Sequence, residues 1–141
     1  MSAYEYRHVV TFEETNLVGN VYFVNHLSWQ GRCREFFLRE YAPEVLSALA
    51  QGLSLITTRC SCEYLAELSA FDEVVVRMSL SEIVLNRMWL RFEYWRRSDR
   101  GEELVARGDQ QVVCMRRNGG QLVAAHLPEQ LRQALLTYAA G

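Results

Sequence analysis

Apolar and polar residues alternate along the middle and later part of the chain with the period of a β-strand. In one stretch every second residue is apolar, namely Val74, Val76, Met78 and Leu80. A strand with one covered face requires this alternation. Turn-forming residues interrupt the pattern and delimit long candidate strands near 54 to 66, 72 to 85, 87 to 97 and 103 to 117. Their direct succession predicts an antiparallel meander, and the longest strand, 103 to 117, is expected to leave an edge for a second subunit.

The first half of the chain shows the period of a helix. No proline occurs from 24 to 41, and apolar residues recur there at helical spacing, at Leu27, Trp29, Cys33, Phe36 and Phe37. Pro43 ends this helix and opens a second one through residue 49, and Pro128 starts a last helix. A first strand is predicted from 4 to 10. Because the long helix is too apolar for a surface, we expect the sheet to wrap around it in an α+β fold.

Length and charge restrict the function classes. The 141 residues fit one domain, 1–141, with a single core. Half of the residues are apolar and the net charge is only −2, so electrostatic binding to nucleic acid or a membrane is not indicated. The first residues lack the pattern of a signal peptide, and no apolar run reaches the length of a membrane span. We therefore expect a cytoplasmic protein.

The cysteines and two of the histidines suggest no separate chemistry. The four cysteines contain no C-x-x-C pair, so neither a zinc site nor a redox motif is predicted, and we expect no metal and no cofactor. In a reducing compartment they are expected to be buried thiols, with Cys60 and Cys62 as small core residues on one strand face. His8 and His126 have no recognisable partner in the sequence and are interpreted as structural.

The segment before and inside the long helix carries a family resemblance. An acidic turn is followed by Gly19, Val21, Tyr22, Phe23 and Asn25 at fixed spacing. This pattern resembles the signature of hotdog thioesterases of the 4-hydroxybenzoyl-CoA type. The resemblance implies a long central helix wrapped by an antiparallel sheet of about five strands, and it implies thioester hydrolysis.

One position departs from that signature. The family usually has a catalytic aspartate three residues before the glycine, whereas this chain has Asn16, whose neutral amide can orient water but cannot accept its proton. The longer strings at 13–20 and 29–35 are similar to a narrower group, the thioesterases that act with iterative polyketide synthases of enediyne biosynthesis. That resemblance implies release of a polyene β-ketoacyl chain from an acyl carrier protein domain, by a homo-oligomer that is a dimer of dimers. It also implies Asn16 and Arg34 as catalytic residues.

The predicted chemistry is stabilisation of the oxyanion that forms when water attacks a thioester. A helix start offers unpaired N–H groups and a partial positive charge, so the amides from Gly19 through Phe23 are candidate donors. The alignment with the family favours Phe23, and Tyr22 and Asn25 of the matched signature are candidate substrate-binding residues. His26, which follows them, could also donate to a substrate. His26 has an alternative role in filling the helix face.

Three alternatives to these roles remain open. Asn16 is also a typical turn residue. Arg34 could form an ordinary surface ion pair with a glutamate. Glu35 is the rival candidate for a general base, although ion pairing with Arg32 or Arg39 and exposure to solvent suit it better.

Other functions also fit parts of the pattern. A general acyl-CoA thioesterase would act on CoA rather than on a carrier protein, and a non-catalytic acyl-binding module would suit the missing aspartate. A dehydratase would need a paired histidine and acid. His26 and Glu35 fit that role poorly, because nine residues along one helix place them on different faces.

Overall fold

A long helix and an antiparallel sheet make up most of the molecule. The structure, a computed structural model, describes residues 2–140. In chain order its elements are β1 (Tyr4–Val9), a 3-10 turn (Phe12–Glu14), α1 (Val24–Tyr41), α2 (Pro43–Leu49), β2 (Leu53–Tyr64), β3 (Glu73–Val84), β4 (Arg87–Ser98), β5 (Gly101–Asn118), β6 (Gln121–Ala124) and α3 (Glu129–Thr137). The predicted α+β order is confirmed, and the bounds of α1 and α2 agree with those predicted from the helical period.

The sheet has the strand order β1-β3-β4-β5-β2, with every neighbouring pair antiparallel. The short β6 pairs with the last residues of β5. β5 is therefore an interior strand, and the expectation that it leaves a free edge is wrong. Its length reflects pairing with β4 on one side and β2 on the other. The outer strands of the five are β1 and β2.

The core lies between α1 and one face of the sheet. Trp29, Cys33 and Phe37 of α1 are fully or almost fully buried, at the helical spacing that the sequence predicts. The alternating apolar residues of β3 and β4 face them, including Val76 and Phe92. Burying such side chains contributes about 1.5–3 kcal/mol each, which explains why the sheet curls around the most apolar helix of the chain.

The cysteines divide into two environments. Cys33 and Cys114 are buried, as predicted, but Cys60 is exposed and Cys62 only partly buried. The expectation that Cys60 is a core residue is wrong, because it lies on β2, at the edge of the sheet. Among residues 2–140, no helix has the length and apolar character needed to cross a membrane.

Candidate active site

The loop between β1 and α1 holds Asn16 in a tight turn. Its side-chain Oδ1 accepts a hydrogen bond from the amide of Val18 at 3.0 Å, and its carbonyl accepts one from Gly19 at 2.9 Å. Gly19 has φ +97°, a conformation that side chains rarely adopt. Asn16 is exposed, and its Nδ2 donates to no other residue of 2–140. The side chain is thus anchored through its oxygen and can still offer two N–H donors.

The amides at the start of α1 are not equally available. Gly19 donates to Asn16, Val21 donates to Leu68 at 2.8 Å, and Tyr22 donates to the carbonyl of Glu14 at 2.8 Å. The prediction that the amides from Gly19 through Phe23 all serve as free donors is therefore wrong for these three. The amide of Phe23, at the N-cap of α1, has no hydrogen-bond partner in the described chain. Within the predicted set, the amides of Phe23 and Asn20 are thus free in residues 2–140, and that of Phe23 lies at the start of the helix, where it can polarise a carbonyl.

The carboxylate of Glu14 is the buried polar centre of this loop. It accepts hydrogen bonds from His8 Nε2 at 2.8 Å, from the Thr11 amide at 3.0 Å and from Trp29 Nε1 at 2.9 Å. Burial alone raises the pKa of this carboxyl, but the three hydrogen bonds outweigh it, so the pKa of Glu14 is lowered. Glu14 is not among the site residues predicted from the sequence, and His8, for which the sequence suggests no partner, is bonded to it. The spacing Thr11-x-x-Glu14, which is that of a capping box, could have indicated the contact.

The start of α1 is fixed from two sides. The carbonyl of Glu14 accepts hydrogen bonds from the amide of Tyr22 and from Asn25 Nδ2, each at 2.8 Å. On the other side, the hydroxyl of Tyr64 in β2 donates to the carbonyl of Phe23 at 2.8 Å. The predicted residue Asn25 therefore joins the loop to the helix. These bonds fix the peptides on both sides of the one that carries the free Phe23 amide.

His26 lies inside the aromatic core. It is 3% exposed, and its ring centroid is 5.0 Å from Trp29, 4.8 Å from Tyr64 and 5.4 Å from Tyr94. Neither ring nitrogen has a hydrogen-bond partner in the described residues. Burial lowers the pKa of His26 to about 4, against a smaller opposing effect of the nearby Phe23 backbone, so the imidazole is neutral at neutral pH. This geometry matches the helix-filling alternative more closely than direct contact with a substrate.

Two polar side chains of the sheet hold the guanidinium of Arg34. Its Nη1 donates to Thr57 Oγ1 on β2 and to Gln110 Oε1 on β5, each at 2.9 Å. Burial lowers its pKa while the nearby Glu35 carboxylate raises it, and the guanidinium remains charged. Within residues 2–140 Arg34 forms no ion pair, so the surface-pair alternative is not what the geometry shows.

A groove of about 490 Å³ begins at Arg34 and runs between α1, α2 and β2. Its lining is mainly apolar and consists of Arg34, Glu35, Phe36, Leu38, Arg39, Leu46, Leu49 and Leu55. Glu35 is exposed, as expected, but it does not form the expected ion pair. Arg32 instead approaches Glu14 at 3.9 Å, and the guanidinium of Arg39 lies over the Phe36 ring at 4.8 Å.

Within a single chain, the predicted catalytic side chains of Asn16 and Arg34 do not meet. Arg34 lies ten residues after Val24, the first residue of α1, which corresponds to about 15 Å along a helix axis. Asn16 and the free Phe23 amide lie at the start of that helix. No hydrogen bond in the described part of the chain joins Asn16 to Arg34.

The sequence also matches a known family. The profile of the thioesterase-like superfamily matches residues 10–135. The chain therefore belongs to this superfamily, and it is a thioester hydrolase with the hotdog fold. No curated protein matches the chain.

Several solved structures are similar to this chain. The chain is 51% identical to the dynemicin thioesterase, with a TM-score of 0.96 over 99% of both chains. It is 20% identical to a 1,4-dihydroxy-2-naphthoyl-CoA thioesterase from Synechocystis, with a TM-score of 0.82 over 96% of both chains. It is 18% identical to the 4-hydroxybenzoyl-CoA thioesterase of Pseudomonas sp. strain CBS-3, with a TM-score of 0.79 over 95% of this chain and 99% of that one. The last two similarities show only that the fold is shared.

Proposed function

We propose that this enzyme hydrolyses a polyene β-ketoacyl chain from the acyl carrier protein domain of an iterative enediyne polyketide synthase. The observation that carries the proposal is the 51% identity, over 99% of both chains, to the dynemicin thioesterase, whose crystal structures describe polyene binding. The asparagine at position 16 and the anchored guanidinium of Arg34 support the same assignment, since they offer fixed donors in place of a carboxylate.

The proposed chemistry depends on hydrogen-bond donors. Water held by Asn16 attacks the carbonyl carbon, the C–S bond breaks, and the water's proton passes to the departing thiolate. The Phe23 amide and the Arg34 guanidinium stabilise the negative oxygen that forms in between. Each such donor typically contributes about 3 kcal/mol to lowering the barrier. The released β-keto acid can lose CO₂ without an enzyme, which gives a methyl ketone.

The groove at Arg34 suits a long acyl chain. Its walls include Leu46, Leu49 and Leu55, and its charged lining residues are Arg34, Glu35 and Arg39. Apolar walls with a few fixed polar groups are typical of sites that hold an extended apolar ligand. A cavity of similar size on the opposite face of the sheet is lined by charged residues such as Arg59 and Arg107, which fit an acyl chain poorly.

A homo-oligomer is part of this proposal. The outer edge of β2 is twelve residues long and exposed from Thr57 to Cys60, so its backbone groups are available to a second copy of the strand. Because Arg34 is bound to Thr57 on that strand, pairing there carries Arg34 towards the neighbouring protomer. A shared site can then combine Asn16 and Phe23 of one protomer with Arg34 of the other. Two such dimers would form the expected tetramer.

The direct test is incubation with the loaded synthase, followed by mass analysis of the released product. A β-keto acid or its methyl ketone is expected. Asn16→Ala and Arg34→Ala should each lower turnover about 10²- to 10³-fold, as for removal of an oxyanion donor, while Glu35→Ala should not. Equal losses in all three variants would favour a carboxylate mechanism. Faster hydrolysis of the acyl-CoA than of the acyl carrier protein would favour a general acyl-CoA thioesterase.

A further inference from the structure

A chain of hydrogen bonds runs from Arg34 into the interior. Arg34 Nη1 donates to Gln110 Oε1 at 2.9 Å, Gln110 Nε2 donates to Gln30 Oε1 at 3.1 Å, and Gln30 Nε2 donates to the carbonyl of Ser61 at 2.9 Å. The two glutamines are among the most buried polar residues of the described chain, with Gln30 at 0% and Gln110 at 5% exposure. This series of hydrogen bonds joins α1, β5 and β2.

The Arg34 guanidinium at one end and the Ser61 carbonyl at the other determine the direction of these hydrogen bonds. A guanidinium only donates, so Gln110 must turn its oxygen towards Arg34 and its NH₂ towards Gln30. Gln30 must then present its oxygen to Gln110 and its NH₂ to the carbonyl of Ser61, which only accepts. Turning either amide by half a turn would place two donors or two acceptors against each other. An unmatched buried polar group costs about 1–3 kcal/mol, so one orientation is strongly favoured.

These hydrogen bonds leave part of the Arg34 guanidinium free. Arginine has five N–H donors, and the two on Nη1 are used by Thr57 and Gln110. Two bonds from one planar nitrogen fix the plane of the group. The three N–H donors on Nε and Nη2 bind no other side chain or carbonyl in residues 2–140, so they point in fixed directions and are available to a ligand.

A glycine on β5 makes room for this arrangement. A Cβ at Gly108 would lie 2.6 Å from Gln30 Nε2 and 2.1 Å from the carbonyl oxygen of Ser61. Both distances are far below normal contacts, so no other residue fits here while Gln30 keeps its place. Glycine within a strand is destabilising and commonly marks such a close approach.

We propose that Gln110 and Gln30 are positioning residues that orient the Arg34 guanidinium towards the acyl carbonyl. This inference depends on the proposed function, because that function gives Arg34 its role. Neither glutamine needs to touch the substrate. Gln110 acts by accepting a bond from Arg34, and Gln30 acts by keeping the oxygen of Gln110 turned outward.

The test compares Gln110→Met with Gln110→Glu. Methionine keeps the length of the side chain but removes the acceptor, whereas glutamate keeps an acceptor for Arg34. With the β-ketopalmitoyl thioester of N-acetylcysteamine as the probe, Gln110→Met should lower kcat about tenfold to a hundredfold with little change in KM, in the range for misplaced catalytic groups. Gln110→Glu should recover most of that loss in kcat, because it keeps the acceptor for Arg34, although its second oxygen faces Gln30 Oε1 and should lower the stability of the fold. Gln111→Ala, on the opposite face of β5, is the matched control and should keep the wild-type rate.

A double variant separates positioning from general damage to the fold. In an Arg34→Ala background, Gln110→Met should change kcat less than about twofold, because the group that it orients is already absent. A full additional loss in that background would overturn the proposal. Equal losses in Gln110→Met and Gln110→Glu would also overturn it.

Crystal structures of the variants test the positioning role without a measurement of activity. In crystals of Gln110→Met the guanidinium of Arg34 should leave its position beside Thr57 or occupy several positions, whereas in Gln111→Ala it should not move. An unmoved guanidinium in Gln110→Met would contradict the positioning role. If the wild-type enzyme releases no thiol from any acyl thioester, the proposed function fails, and this comparison still decides whether Gln110 holds Arg34.

Discussion

Replacement of Glu14 by glutamine should destabilise the fold, although the change alters only one atom and the charge. The carboxylate of Glu14 is buried and accepts bonds from His8, Thr11 and Trp29. Glutamine can present only one oxygen to these donors. Hydrogen bonds to a charged group are worth about 1.5–3 kcal/mol each, so we expect Glu14→Gln to lower the free energy of unfolding by about 2–3 kcal/mol. Glu14→Ala, which leaves all three donors unpaired, should lower it by about 3–5 kcal/mol.

Urea unfolding followed by tryptophan fluorescence measures this effect, since Trp29 itself contacts the carboxylate. Protein concentration must be equal in all samples, because assembly adds to the apparent stability. The matched control is Glu13→Gln, an exposed residue of the same turn, which should change the free energy of unfolding by less than about 0.5 kcal/mol. The reasoning is refuted if the Glu14 and Glu13 variants unfold at the same urea concentration.

The pH dependence of stability gives a second measure of the same group. The pKa of Glu14 is lowered in the folded state from its ordinary value of 4.5. Its contribution is therefore fully present above that value and is lost as the pH falls through the lower folded pKa. The difference in stability between wild type and Glu14→Gln should accordingly shrink as the pH falls below 4.5. A difference that stays constant in acid would show that the charge of Glu14 does not contribute.

Two further substitutions test other parts of the site. Gly108→Ala should lower the free energy of unfolding by about 1–3 kcal/mol, as overpacking does, because the added methyl group meets the Ser61 carbonyl. Thermal unfolding measures this change, and a variant as stable as the wild type would contradict the close approach. His26→Phe should retain or raise the melting temperature, because it removes two buried nitrogens that lack partners. Lower turnover at unchanged stability would instead assign His26 to substrate binding.

The local pattern of the sequence was sufficient to predict most elements of the fold. The helical period and Pro43 gave the bounds of α1 and α2, and the alternation in β3 and β4 identified the buried face of the sheet. The neighbours of each strand were not predictable in this way, which is why β5 was expected at an edge. The short β6 was missed because its residues, Gln121–Ala124, are all exposed and show no alternation of burial.

The candidate site was predictable only where it resembled a motif. Asn16, Phe23 and Arg34 stood out by comparison with a signature, but the residues that hold them did not. Gln30 and Gln110 are 80 positions apart in the sequence, and only the fold brings them within a hydrogen bond. Glutamine carries no charge and has no characteristic spacing, so nothing in the sequence connected the two to each other or to Arg34.

The exposed thiol of Cys60 provides a reporter for solution studies. Cys33 and Cys114 are enclosed in the core, while Cys60 lies in the middle of the outer edge of β2. A maleimide reagent should therefore modify Cys60 first when that edge is uncovered and be excluded when another chain covers it. A nitroxide attached there would report, by electron spin resonance, the separation of two chains without any engineered cysteine.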